Sequence, residues 1–139
     1  FLFTGGNIII SCKSINNLFY NNEQAYSFFY EIFQIEKNFN SIEILRDNQL
    51  KKINGYPTLE IEQNKIPFEW FGGLQNTQTY NPRVFNKSIY FLDSGNKINT
   101  TISLLNTKVY KAVLSTLPLY YFKYDEVKQL MKILFDNLK

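Results

Sequence analysis

Histidine is absent from this sequence, and cysteine occurs once, at Cys12. Those two shortages exclude an internal disulfide, a Cys/His zinc site and any mechanism that needs a histidine base. A lone thiol also says nothing about redox compartment. The carboxylates do not fill the gap. Glu43, Glu60, Glu62 and Glu69 fall on predicted strand faces beside water, and Asp47 follows a strand without an identifiable partner. No spacing matches a metal loop, so neither a metal nor another cofactor is expected. Charge of one sign is scarce as well, with 15 Lys and Arg against 12 Asp and Glu, a net charge of +3. No Lys/Arg stripe alternates with exposed aromatics, so there is no strong nucleic-acid signal. No apolar run reaches the ~20 residues of a membrane helix. The longest, Ala112 to Phe122, is broken by Pro118. No secretory signal is visible, and the chain begins at Phe1 rather than Met, which leaves room for an upstream segment. The compartment is therefore unknown from the sequence.

Aromatic side chains, in contrast, are abundant. They make up 17% of the 139 residues, within 45% hydrophobic and 19% charged content. That balance belongs to a globular chain, and the length suits one domain, 1–139, with a core of its own. Recurring Asn, Ile, Lys, Phe and Tyr fit an AT-rich genome, as in many large DNA viruses and organelles. Asn-x-Ser/Thr sequons at Asn86 and Asn99 carry little weight in a chain so rich in asparagine.

Along the chain, the β-branched run Ile8-Ile9-Ile10 predicts a strand buried on both faces, within Asn7 to Ser11. Thr4-Gly5-Gly6 ahead of it lacks a following Gly-Lys-Ser/Thr, so it reads as a turn rather than a phosphate loop. Asn21 and Gln24 form a capping-box pattern. Ala25, Phe28, Phe29, Ile32 and Phe33 then share one helical face, with terminators at Asn38 and Asn40. Ser41 to Arg46 predicts a second strand, parallel to the first through a right-handed crossover. Asp47 to Lys52 suits one or two helical turns, with Leu50 and Ile53 facing inward.

A hairpin is expected next. Leu59 and Ile61 would share one face, Gln63-Asn64-Lys65 would turn, Phe68 and Trp70 would alternate on the return, and Gly72-Gly73 would stop it. Further on, Ser88 to Leu92 and Lys97 to Leu105 predict a second hairpin about Asp93-Ser94-Gly95-Asn96. Val109 to Leu117 reads as a short helix ending before Pro118. Asp125 is a suitable N-cap for a closing helix, Glu126 to Leu138, whose apolar face is Val127, Leu130, Met131, Leu134 and Leu138.

The loop Gly55-Tyr56-Pro57-Thr58 opening a hairpin, with Phe71-Gly72-Gly73 closing it, resembles the C-terminal half of the thioredoxin fold. The resemblance covers about residues 7–73 and 125–139. It implies an α/β fold, a thioredoxin-like mixed sheet flanked by helices, with an inserted hairpin and helix at about 74–124. It also implies a cis bond before Pro57 and a redox loop after the first strand. That loop would be Asn16-Asn17-Leu18-Phe19, a degenerate active-site loop in which neither end is cysteine. Two thiols are needed, one to attack and one to resolve the mixed disulfide. Cys12 falls too early and is only a weak catalytic candidate.

The function expected is therefore a redox-inactive structural or protein-interaction module, a subunit of a larger assembly such as a viral particle or organellar complex. The alternatives are a thiol-disulfide oxidoreductase relative using Cys12, and a peptide-binding chaperone domain acting through the Pro57 groove. Protein partners are expected. The surface assigned to them is the aromatic set Tyr80, Phe85, Tyr90, Tyr110, Tyr120 and Tyr121, in the segment expected as an insertion.

Overall fold

The computed structural model of the chain describes residues 6–15, 22–93 and 98–139. In order it runs β1 (Ile8–Ser11), α1 (Glu23–Phe33), β2 (Ile35–Leu45), a 3-10 turn (Asp47–Gln49), β3 (Leu50–Lys52), β4 (Leu74–Pro82), β5 (Asn86–Asp93), β6 (Ile98–Asn106), β7 (Lys111–Ser115) and α2 (Tyr124–Leu138). The strands make one seven-stranded sheet along the path β1-β7-β6-β4-β2, with β5 beside β6 and β3 beside β5. Among the described residues only β1 and β7 pair in parallel; the other pairings are antiparallel.

This overturns the thioredoxin-like reading. The molecule is mainly one mixed sheet with two α-helices among the described residues, and the Tyr56–Pro57 bond is trans. The segment expected as an insertion supplies β4 to β7, four of the seven strands. The first strand is parallel to β7, with Ile8 opposite Ala112 and Ser11 opposite Ser115, and not to the strand after α1. Lys111–Ser115 is a strand and not a helix because it is buried on both faces. Ala112 and Leu114 enter one core cluster while Val113 enters the other. A short apolar run carries no period that separates the two outcomes.

Among the described residues, α1 packs on one face of the sheet and α2 on the other. Phe29, Tyr30 and Phe33 of α1 pack with Ile15, Ile35, Tyr80, Leu105 and Leu114. Leu130, Leu134 and Leu138 of α2 pack on the other face with Leu45, Leu74, Ile102, Val113 and Phe122. The α1 stripe is turned from the expected one: Phe28 is exposed and Tyr30 is buried. Tyr26 and Tyr30 meet edge to face at 4.4 Å, which places Tyr30 inward. Asn22 caps the helix through Oδ1, which accepts from the Ala25 amide at 2.9 Å. The helix stops at Phe33 because Gln34 takes a left-handed conformation and feeds directly into β2. Asn38 and Asn40 lie inside that strand instead of ending the helix. Asp125 sits in the first turn of α2 and is not its cap.

Strand β6 serves two partners on one edge. β5 lines its other edge, while Ile102 to Asn106 pair with β7 and Thr100 pairs with Tyr80 of β4. Where β7 and β4 diverge, side chains take up the backbone groups that no strand can reach. Thr116 Oγ1 donates to the Gln78 carbonyl at 2.5 Å, and the Thr116 amide donates to the Thr101 carbonyl at 2.8 Å. The Ile15 amide donates to Gln78 Oε1 at 2.8 Å. Buried polar residues at the fork are thus the hydrogen-bonding solution to a split sheet.

The expected hairpin over 58–73 does not form. Leu59 and Ile61 are buried as anticipated, but the amides of Glu60 and Ile61 are taken by carboxylates. Glu126 Oε2 accepts from Glu60 and Asp47 Oδ1 from Ile61, each at 2.6 Å. Two 3-10 turns, Gln63–Lys65 and Phe68–Trp70, replace the return strand. Gly73 then squeezes past β2: an added Cβ would meet the Ile44 side chain and lie 2.9 Å from the Leu45 carbonyl oxygen. Gly73→Ala should therefore lower stability by about 1–3 kcal/mol, through overpacking against backbone that has no free rotamer. Urea denaturation would show it as a lower midpoint at unchanged slope.

Candidate interaction surface

Residues 60–73 form a loop pinned at its base and apolar at its tip. The base is a short antiparallel contact with the segment before α2, where Ile61 bridges Phe122. The Glu62 amide donates to the Tyr121 carbonyl at 2.8 Å, and the Lys123 amide to the Glu60 carbonyl at 3.0 Å. Lys123 also pairs with Glu60 through side chains. Lys65 pairs with Glu62 at 2.6 Å, and this ammonium holds the Glu62 carboxyl below its ordinary range.

Beyond that base the chain exposes what it would ordinarily bury. Phe68 is 94% exposed and Phe71 is 72% exposed. Trp70, between them, packs at 5.5 Å on Tyr121, which meets Tyr120 edge to face at 5.2 Å. Lys13 lies over the Trp70 ring and Lys65 over Tyr120, at 5.0 and 5.2 Å. Phe71 has φ +51° and is followed by Gly72 at φ +75°. A left-handed phenylalanine is a strained choice, and its ring gains no burial in return. Phe68 and Phe71 thus stand exposed on a loop with a fixed base, and Trp70 between them joins a row of rings with Tyr121 and Tyr120.

The six aromatic residues expected to form one surface part company. Tyr80 and Tyr90 belong to the core, because β4 and β5 are interior strands. The Tyr80 hydroxyl is bonded to the Ser103 hydroxyl and donates to the Leu114 carbonyl, each at 2.8 Å; burial pushes the phenol far up. Tyr120 and Tyr121 lie in the row of rings above. Phe85 and Tyr110 line a separate cleft at the ends of β5 and β6. Phe68, Trp70 and Phe71 escaped the sequence reading because it placed them on a return strand. The signal for them was available in Pro67 and the two glycines, which bracket four residues with three aromatic rings.

The remaining expected sites are structural. Gly55 takes φ +91°, and the Pro57 carbonyl accepts from Tyr90 Oη at 2.5 Å, so the loop backbone is engaged from within. Tyr56 is half-buried with its ring 6.4 Å from Tyr90, and Thr58 continues toward buried Leu59. Asp47 has the partner that the sequence did not identify, the Ile61 amide. Asn16, Asn17, Leu18 and Phe19 lie outside the described residues.

Cys12 follows β1, half-buried, with its amide donating to the Ser115 carbonyl at 2.9 Å. Burial pushes its thiol from 9.0 up to about 11. The neutral thiol is thus favoured in the folded state, and the stability this provides is complete below pH 9. It is lost as pH rises from 9 through 11. Buried Tyr80 and Tyr90, whose pKa values are also raised by desolvation, act in the same direction from about pH 10. Urea midpoints should therefore fall above pH 9, and Cys12→Ser should remove the earliest part of that fall. Alkylation of native Cys12 at pH 8 should be slower than that of the unfolded chain by about a hundredfold, following thiolate fraction.

No helix among the described residues is long and apolar enough to cross a membrane, and no group of three or more candidate metal-ligating side chains occurs among them. No family model, curated protein or solved structure matches the chain.

Proposed function

We propose that the protein is a structural protein-interaction module, a subunit of a larger assembly, that docks through the Phe68–Trp70–Phe71–Tyr120 patch. The observation that carries this reading is Phe68 at 94% exposure on a loop fixed by backbone hydrogen bonds at its base. A flexible tip would lose much of its binding energy to ordering. A pinned aromatic tip is pre-organised and loses less. Rigid aromatic side chains supply large contact area at little entropic penalty and recur at interface centres. The high pKa of Cys12 and its place after a strand offer no comparable support for thiol chemistry.

The test places a photo-cross-linking phenylalanine analogue at position 68 and, in a parallel protein, at position 28, which is also exposed but on α1. Illumination in the native source should give a discrete protein adduct from position 68 and none of that mass from position 28. Equal or absent labelling at the two positions would sink the reading.

A further inference from the structure

A cleft lies at the opposite end of β4 from the aromatic loop. It has a volume of about 460 Å³ and is lined by Gln34, Phe85, Asn106, Thr107, Lys108 and Tyr110. Both its walls are fixed. On one side the Arg83 amide donates to the Gln34 carbonyl at 2.8 Å, and Asn86 Nδ2 donates to the Phe33 carbonyl at 2.7 Å. On the other, Thr107 Oγ1 donates to the Tyr110 carbonyl and accepts from the Tyr110 amide, at 2.6 and 2.9 Å. Tyr110 Oη donates to the Ile32 carbonyl at 2.8 Å, which holds the ring in place as a lining surface. Phe85 is 72% exposed at the mouth. The size falls within the range of ordinary binding pockets, and a pre-formed wall of this kind needs no rearrangement to accept a ring.

Each feature also carries one exposed charge, and the two are of opposite sign. Glu69 stands between Phe68 and Trp70 at the tip of the aromatic loop, exposed. Lys108 stands at the cleft, also exposed. Neither enters an ion pair among the described residues. The two features cannot meet within one chain. The aromatic loop ends at Gly73, where β4 begins, and the turn carrying Phe85 follows β4 at Pro82. Nine strand residues separate them by roughly 30 Å.

We infer that the occupant of the cleft is the aromatic loop of a second copy of this chain, with Phe68 and Phe71 against Phe85 and Tyr110 and Glu69 facing Lys108. Such a contact uses different surfaces on the two copies. It therefore repeats head to tail, into a ring if the rotation closes and a filament if it does not. This inference rests on the aromatic patch being a docking surface, and adds which partner it takes.

The test is sedimentation velocity of the whole chain and of five variants. The unaltered protein should grow beyond a dimer as concentration rises. Phe68→Asp removes the loop's anchor and Phe85→Asp spoils the cleft; each should remain a monomer. Both residues are exposed, so folding should be unaffected, and circular dichroism melts verify this. Mixed one to one, these two variants should form a dimer and stop there, because each retains the half that the other lacks. Glu69→Lys and Lys108→Glu should each weaken association by about tenfold, and the double variant should recover it to within about threefold. A monomer at every concentration, growth of Phe85→Asp like the unaltered chain, or no dimer in the mixture would each overturn the inference. A monomeric protein whose position 68 labels a different polypeptide would overturn self-assembly while leaving the docking surface standing. Loss of labelling together with monomeric behaviour would remove both.

Discussion

Tyr80→Ala should destabilise the protein by about 3–5 kcal/mol, and Tyr80→Phe by about 1–3 kcal/mol. The first figure comes from deleting a fully buried ring from the cluster that joins α1 to the sheet. The second isolates the hydroxyl. Phenylalanine keeps the packing of the ring near Phe39, but leaves the Leu114 carbonyl without its donor and Ser103 without its partner. A chemical denaturation series of the two variants measures both numbers. The contrast tests whether β4 is interior. Were Tyr80 a contact residue on an appended segment, alanine would cost only a few tenths of a kcal/mol and would weaken association instead.

Phe122→Ala is the second large effect, at about 3–5 kcal/mol. Its side chain is buried in the cluster beneath α2, and its backbone pairs with Ile61. Truncation opens a cavity at the place where the aromatic loop is tied to the body. Two readouts should therefore move together. Global stability falls, and the Glu62 and Lys123 amides, which donate to the Tyr121 and Glu60 carbonyls, should exchange hydrogen much faster than in the unaltered protein. If stability falls while those two amides stay protected, the loop is held by other contacts and the pinned-base argument for docking is lost.

Elements with local signals were legible in the residues alone. Ile8 to Ser11 is a strand because β-branched residues favour one, and the periodic face of Leu130, Leu134 and Leu138 makes α2 amphipathic. The antiparallel pairing of β5 with β6 was legible in two apolar runs, although the turn expected at Asp93-Ser94-Gly95-Asn96 lies mostly outside the described residues. Burial of Leu59 and Ile61 was legible in their spacing. The aromatic excess was plain, although which rings were inside was not.

The strand pairings, in contrast, depend on contacts distant in sequence. Whether Ala112 to Ser115 became helix or strand depended on β6 on one side and, on the other, β1, whose residues lie about a hundred positions away. Whether 58–73 became a hairpin depended on Asp47 and Glu126, whose carboxylates captured the amides a return strand would have used. The same holds for the candidate site. Tyr80 and Tyr120 look alike in sequence, but one lies on an interior strand and the other on a turn against Trp70. Exposure is a property of neighbours brought together by folding, and the strongly exposed Phe68 acquires its meaning only once the sheet has left nothing to cover it.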